Sequence, residues 1–230
     1  MKEVTMKLYG FTELDESVRK EIVERERWSV MESNMDAWSG DWRESLSEFE
    51  KMTDTNVRGW QVDYCTYRLG SIRYKHDGPV LGDYDNGYYA HELKGKHLFR
   101  YLNRYILPYM EKKKTYWGKF KYDEHGKCLG AKKRISRILF SSDACYSLTG
   151  FCADYSLLKP IMDYCREWPK HPEKTWEDLL NECYEGFFEE WHNDYRYSAS
   201  DEFVEEILSD DDGVLYLEDG TRFRHMVGIV

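Results

Sequence analysis

Proline is scarce in this sequence, at 5 of 230 residues, so long rigid linkers are not expected. No apolar run approaches the roughly 18 residues needed to cross a bilayer. Met1 to Gly10 has neither an apolar signal core nor a small-residue cleavage site. The expectation is a cytoplasmic protein without membrane contact. Cys65, Cys128, Cys145, Cys152, Cys165 and Cys183 are spread singly, with no CxxC pair. Zinc sites need Cys and His at short ligand spacing, so no metal and no cofactor is expected. In a reducing cytosol these cysteines read as free, mostly buried thiols. There is no GxGxxG and no Walker-type glycine-lysine motif, which removes phosphate-cradling loops.

A nucleophile on a strained turn is also missing, since no G-x-S-x-G elbow occurs. Cys145 or Ser142 could be combined with His125 or His192 and with Asp143 or Asp154. Nothing in the sequence brings those three roles together. No catalytic residue is assigned, and the protein reads as a non-enzyme. Asp83-Tyr84-Asp85-Asn86-Gly87 resembles the start of a calcium loop, but counted from Asp83 the glycine falls one place early and the twelfth position is Lys94. It reads as a turn.

What is present is aromatic and charged. Aromatics make up 16% of the chain, including 19 Tyr and 8 Trp. That excludes a disordered chain, and the length suffices to bury a core without staples. The net charge is -10, but it is uneven. Lys94 to Arg137 holds 14 Lys/Arg against Glu111, Asp123 and Glu124, whereas Glu177 to Asp219 holds 16 acidic residues against Arg196 alone.

Helical periodicity runs from Leu14 through Val18, Ile22, Trp28, Met31, Met35, Trp38, Trp42, Leu46 and Phe49, a stripe made to pack into a core. Ser39-Gly40-Asp41 should break it into two helices. Trp60 to Tyr67 alternates as a strand, and Leu69-Gly70-Ser71 should turn it into a return strand at Ile72 to Lys75. Leu93 to Met110 reads as a helix kinked by Pro108 and closed by Lys112-Lys113-Lys114 at its negative end. Lys132 to Trp168 reads as strand, turn and helix, a hinge between the basic and acidic parts. Thr175 caps a helix buried through Trp176, Leu179, Leu180, Cys183, Phe187, Phe188 and Trp191. Ser200 or Asp201 caps a short helix with Phe203, Val204, Ile207 and Leu208 on its apolar side, and Asp219-Gly220 forms a final hairpin turn. The fold class is α+β, with several amphipathic helices on a small, mostly antiparallel sheet. It reads as one domain over 1–230, within which 12–56 can form a helical subdomain.

Three short segments carry a resemblance. Tyr9-Gly10-Phe11-Thr12-Glu13-Leu14 opens the first helix. Leu148-Thr149-Gly150-Phe151-Cys152-Ala153-Asp154 lies in the middle. Asp194-Tyr195-Arg196-Tyr197, Ser200-Asp201-Glu202, Glu206-Ile207 and Asp219-Gly220 close the chain. Together they resemble a family of small bacteriophage-encoded accessory proteins, sometimes labelled antitoxin-like. The long basic stretch and the many Cys and Trp depart from that pattern. The resemblance implies phage origin and action inside a bacterial host, and it assigns no catalytic residue.

Two surfaces are candidates for binding. Glu189, Glu190, Asp201, Glu202, Glu205, Glu206, Asp210, Asp211 and Asp212 can present spaced negative charge as phosphates do. The expected partner is a host defence protein, a CRISPR nuclease first, because such an enzyme holds nucleic acid in basic channels. The alternative is a nucleic-acid-binding module. It would use Arg100, Arg104, Lys112, Lys113, Lys114, Lys119, Lys121, Lys132, Lys133, Arg134 and Arg137, interleaved with Tyr116, Trp117, Phe120 and Tyr122. A third expectation is an antitoxin that masks a toxin.

Overall fold

The computed structural model describes residues 6–75, 90–110, 112–115, 120–131 and 138–223. The Asp83 to Gly87 turn, Lys119, Lys132, Lys133, Arg134 and Arg137 lie outside the described residues. The helices are α1 (Glu16–Thr53), α2 (Gly95–Tyr101), α3 (Ala153–Glu167), α4 (Trp176–Ser198) and α5 (Asp201–Asp210). The strands are β1 (Thr55–Arg58), β2 (Gln61–Val62), β3 (Tyr67–Arg68), β4 (Ser71–Tyr74), β5 (Lys112–Thr115), β6 (Phe120–Tyr122), β7 (Cys128–Ala131), β8 (Ile138–Phe140), β9 (Leu215–Tyr216) and β10 (Arg222–Phe223). Among the described residues they form two-stranded sheets, β1 with β4, β2 with β3, β5 with β8, β6 with β7 and β9 with β10, all antiparallel. This is the expected α+β class, with the strands paired off rather than gathered into one sheet.

The chain divides into two compact units. Unit 1 is Met1–Ser39 with Asn193–Val230, and unit 2 is Gly40–His192. The division falls inside α1 and inside α4, and unit 1 is made from the two ends of the chain.

α1 does not break at Ser39-Gly40-Asp41, contrary to expectation. Its buried stripe continues through Met35, Trp42, Leu46, Phe49 and Met52. Glycine in a helix costs about 1 kcal/mol relative to alanine, less than burying one large apolar side chain returns. The stripe is incomplete, however. Trp28 is 49% exposed and Trp38 is 37% exposed, so these two are not core residues as the spacing suggested.

In unit 2, the core stripe of α4 is as expected. Trp176, Leu179, Leu180, Cys183, Phe187, Phe188 and Trp191 are buried. Trp42 stacks on Trp191 at 5.8 Å between centroids, and Phe49 meets Tyr184 edge-on. The cap of α4 is reciprocal. Thr175 Oγ1 accepts from the Asp178 N–H at 3.1 Å, and Asp178 Oδ2 accepts from the Thr175 N–H at 2.9 Å. This is the capping-box logic with aspartate in the glutamate role. A buried hydroxyl chain, Thr53 to Thr55 at 2.7 Å and Thr55 to Tyr184 at 2.6 Å, ties the end of α1 to α4. Burial raises the Tyr184 phenol well above its ordinary value, so it stays protonated.

Two strand expectations are corrected. The hairpin tip is Asp63–Thr66, not Leu69-Gly70-Ser71. Asp63 Oδ1 accepts from the N–H groups of Cys65 (2.8 Å) and Thr66 (2.9 Å), which fixes a tight turn. Gly70 serves another purpose, because a Cβ there would lie 1.8 Å from the Arg58 carbonyl oxygen. Lys112, Lys113 and Lys114 form strand β5, paired with β8, and do not close a helix. The helix before them ends earlier. Pro108 has no N–H and crowds the preceding turn, and α2 loosens into a π turn over Leu102–Ile106 and a 3-10 turn over Leu107–Tyr109.

Candidate partner-binding surface

The surface is built in unit 1. A small core of Phe11, Leu14, Ile22, Val23, Val204 and Tyr216 holds it together. Tyr9 and Tyr216 exchange backbone hydrogen bonds at 2.9 Å in both directions, which fastens the N-terminal segment to β9. Ser200 caps α5 by accepting from the Phe203 N–H at 3.3 Å. Arg27 then pins the start of α5 to α1. Its guanidinium donates to the Ala199 carbonyl at 2.6 Å and pairs with Asp201 at 2.7 Å and Glu24 at 2.6 Å. After α5 the chain turns through Asp211, whose Oδ1 accepts from the Gly213 N–H at 3.2 Å. Gly220, at φ 77°, makes the β9–β10 turn, and Asp219 accepts from the Thr221 N–H at 2.9 Å.

A groove of about 500 Å³ opens in this unit. On α1 it is lined by Glu26, Ser29, Val30, Ser33, Asn34 and Ala37, and on α5 by Ile207 and Leu208. Asp211, Val214, Tyr216 and Arg222 complete it. Val30, Leu208 and Val214 are also the partly buried edge of the unit 1 core, so part of the groove lining is the apolar rim of that core. Ile207 is 41% exposed, although helical spacing assigned it to the buried side of α5. The groove was not foreseen from the sequence. Its signal was there in Ser29, Ser33 and Ala37, small residues four apart on one helical face, which leave space where larger side chains would have closed it.

Around the groove the charge is negative. Asp201, Glu202, Glu206, Asp210, Asp211 and Asp212 are exposed, and Glu205 is half-buried. Asp201 is committed to Arg27, and Glu26 is paired with Arg25 at 3.0 Å. Glu202, Glu206, Asp210 and Asp212 make no ion pair with any of the described residues. Arg222 is the cation among the lining residues. Of the nine acidic candidates, α5 and the turn after it bring seven together. Glu189 and Glu190 are exposed on the part of α4 that belongs to unit 2.

The division into units also sharpens the charge asymmetry. Unit 1 carries 9 Lys/Arg and 19 Asp/Glu, a net charge of -10, and unit 2 carries 24 of each, a net charge of zero. The whole net charge of the chain therefore resides on unit 1. The basic stretch lies in unit 2, where Arg100 and Arg104 are exposed, Lys112, Lys113 and Lys114 form β5, and Lys121 lies in β6.

Two of the residues that could serve catalysis, Asp154 and His192, make contacts to the backbone. Asp154 is fully buried. Its Oδ2 accepts from the N–H groups of Leu148 (3.1 Å), Thr149 (2.8 Å) and Gly150 (3.1 Å), and its Oδ1 accepts from the Thr149 hydroxyl at 2.9 Å. His192 Nδ1 lies 2.8 Å from the Asp63 carbonyl oxygen. Cys145, Cys165 and Cys183 are buried thiols, and burial pushes the Cys183 thiol well up. Among the described residues no three His, Cys, Asp or Glu side chains group to hold a metal ion. No described helix is long and apolar enough to cross a membrane. Comparison with protein-family models, curated proteins and solved structures finds no match to this chain.

Proposed function

We propose that this protein is a non-catalytic phage accessory protein that binds and inhibits a host defence protein inside a bacterial cell, using the acidic face of unit 1. The observation that carries the reading is the confinement of the -10 net charge to unit 1, where the carboxylates of α5 and its following turn are exposed beside an open groove. A dense, fixed negative surface steers basic partners to it and repels nucleic acid. Proteins that hold nucleic acid present basic channels, and a CRISPR nuclease is the partner that combines such a channel with a role against phage. The phage-family resemblance of the opening, middle and closing segments supports the same setting.

The test is inhibition of guide-directed DNA cleavage by a panel of CRISPR nucleases, with the full chain and with a variant carrying Glu202→Lys, Glu206→Lys, Asp210→Lys and Asp212→Lys. The four positions are exposed, so the variant should keep its circular dichroism spectrum. Inhibition by the wild type that disappears in the variant is the expected result. Equal inhibition by both, or none by the wild type, rejects the reading. Retention of the wild type on single-stranded DNA at low salt, lost as salt rises, would move the function to Arg100, Arg104 and the lysines that follow.

A further inference from the structure

We propose that the groove of unit 1 is a docking slot for a basic amphipathic helix of the partner, which sets apolar side chains on Val30, Leu208 and Val214 and its flanking Lys/Arg against Asp210 and Asp212. This rests on the reading of unit 1 as the binding surface and specifies what that surface holds.

Three observations support it. The first is length. From Glu26 to Ala37 the groove follows three turns of α1, about 16 Å along the axis. That matches a helical ligand anchored at i, i+3 or i+4, and i+7. The second is the apolar part of the lining, Val30, Leu208 and Val214, which packs against the edge of the core. Ile207, also in the lining, is 41% exposed. An exposed isoleucine over an open slot has apolar area to gain from a partner. The third is charge complementarity. Unit 1 is at -10, and Asp211, which lines the slot, is flanked in the chain by the exposed Asp210 and Asp212. Asp210 and Asp212 make no ion pair with any of the described residues, so approaching cations need displace no internal partner. Arg222 is the exception on the lining, and it opposes a basic ligand.

An acidic surface alone would hold any polycation. The slot adds a requirement for an apolar face, and that difference is measurable. The probes are two fluorescent 15-residue peptides of identical Lys/Leu composition, one with leucines at helical spacing and one scrambled. Binding to the full chain is followed by anisotropy at 50 mM and 300 mM salt. The amphipathic peptide should bind roughly tenfold more tightly than the scrambled one. Ile207→Gln, a change at an exposed position, should weaken the amphipathic peptide several-fold and leave the scrambled one unchanged. Ser33→Phe should block the slot with the same selectivity, and a circular dichroism melt confirms that each variant is folded. Arg222→Glu should tighten both peptides. Equal binding of the two peptides, with neither slot variant having an effect, overturns the docking slot while leaving the acidic-surface reading intact. Absence of binding by either peptide at 50 mM salt overturns the slot and the acidic-surface reading together.

Discussion

Asp154 sets the loop between β8 and α3. Its carboxylate is fully buried and gathers three backbone N–H groups and one hydroxyl from Leu148, Thr149 and Gly150. Thr149 in turn contacts Ser45 at 3.1 Å, which ties the same loop to α1 within unit 2. Removing the acceptor strands several donors, and a buried donor without a partner costs more than a hydrogen bond gains. Asp154→Ala should therefore lower stability by about 3 kcal/mol in chemical denaturation. Asp154→Asn keeps one acceptor oxygen and should fall between the two. A loss below about 0.5 kcal/mol for the alanine variant would mean the loop is held by something else. The sequence placed Asp154 beside a glycine turn, where a catalytic role and an anchoring role look alike. The donors gathered around it show the anchoring role.

At the scale of elements, α1 carries the clearest lesson. Gly40 lies inside a continuous 38-residue helix, and a Cβ placed there meets nothing within 4 Å. Gly40→Ala should thus stabilise the protein by roughly 0.5 to 1 kcal/mol, since only the backbone entropy of glycine is removed. Equal or lower stability in a denaturant titration would show that the helix needs glycine at that point. Where periodicity and caps agreed, the elements were legible. The Thr175 box, the α4 stripe, the Ser200 cap and the Asp219-Gly220 turn all appear as read. Local glycine and lysine signals misled at Gly40, Gly70 and Lys112 to Lys114. In each case a pairing or packing partner distant in sequence outweighed the local preference. β8 recruits the lysines into a strand, and the Arg58 backbone occupies the space that Gly70 leaves open.

At the scale of the whole molecule, the division into units assigns -10 to unit 1 and zero to unit 2. Self-repulsion inside unit 1 follows, and Asp210 also sits at the C-terminal end of α5, where negative charge opposes the helix dipole. Neutralising Asp210→Asn with Asp212→Asn should raise the thermal midpoint by about 2 °C at low salt. The gain should vanish near 1 M salt, where screening acts within about 3 Å. A midpoint that falls, or a gain independent of salt, would contradict this electrostatic account.

By itself the sequence determined the α+β class, the buried faces of α4 and most of α1, the caps, and the concentration of acidic residues toward the C-terminal end. These depend on spacing and on side chains acting within a turn or two of themselves. Only the tertiary structure decided that the two ends of the chain combine into one acidic unit, that Ile207 stays exposed, and that Ser29, Ser33 and Ala37 leave a groove in front of Leu208 and Val214. Residues some 180 positions apart line that groove, and no local pattern encodes which distant helix will face a small-residue stripe.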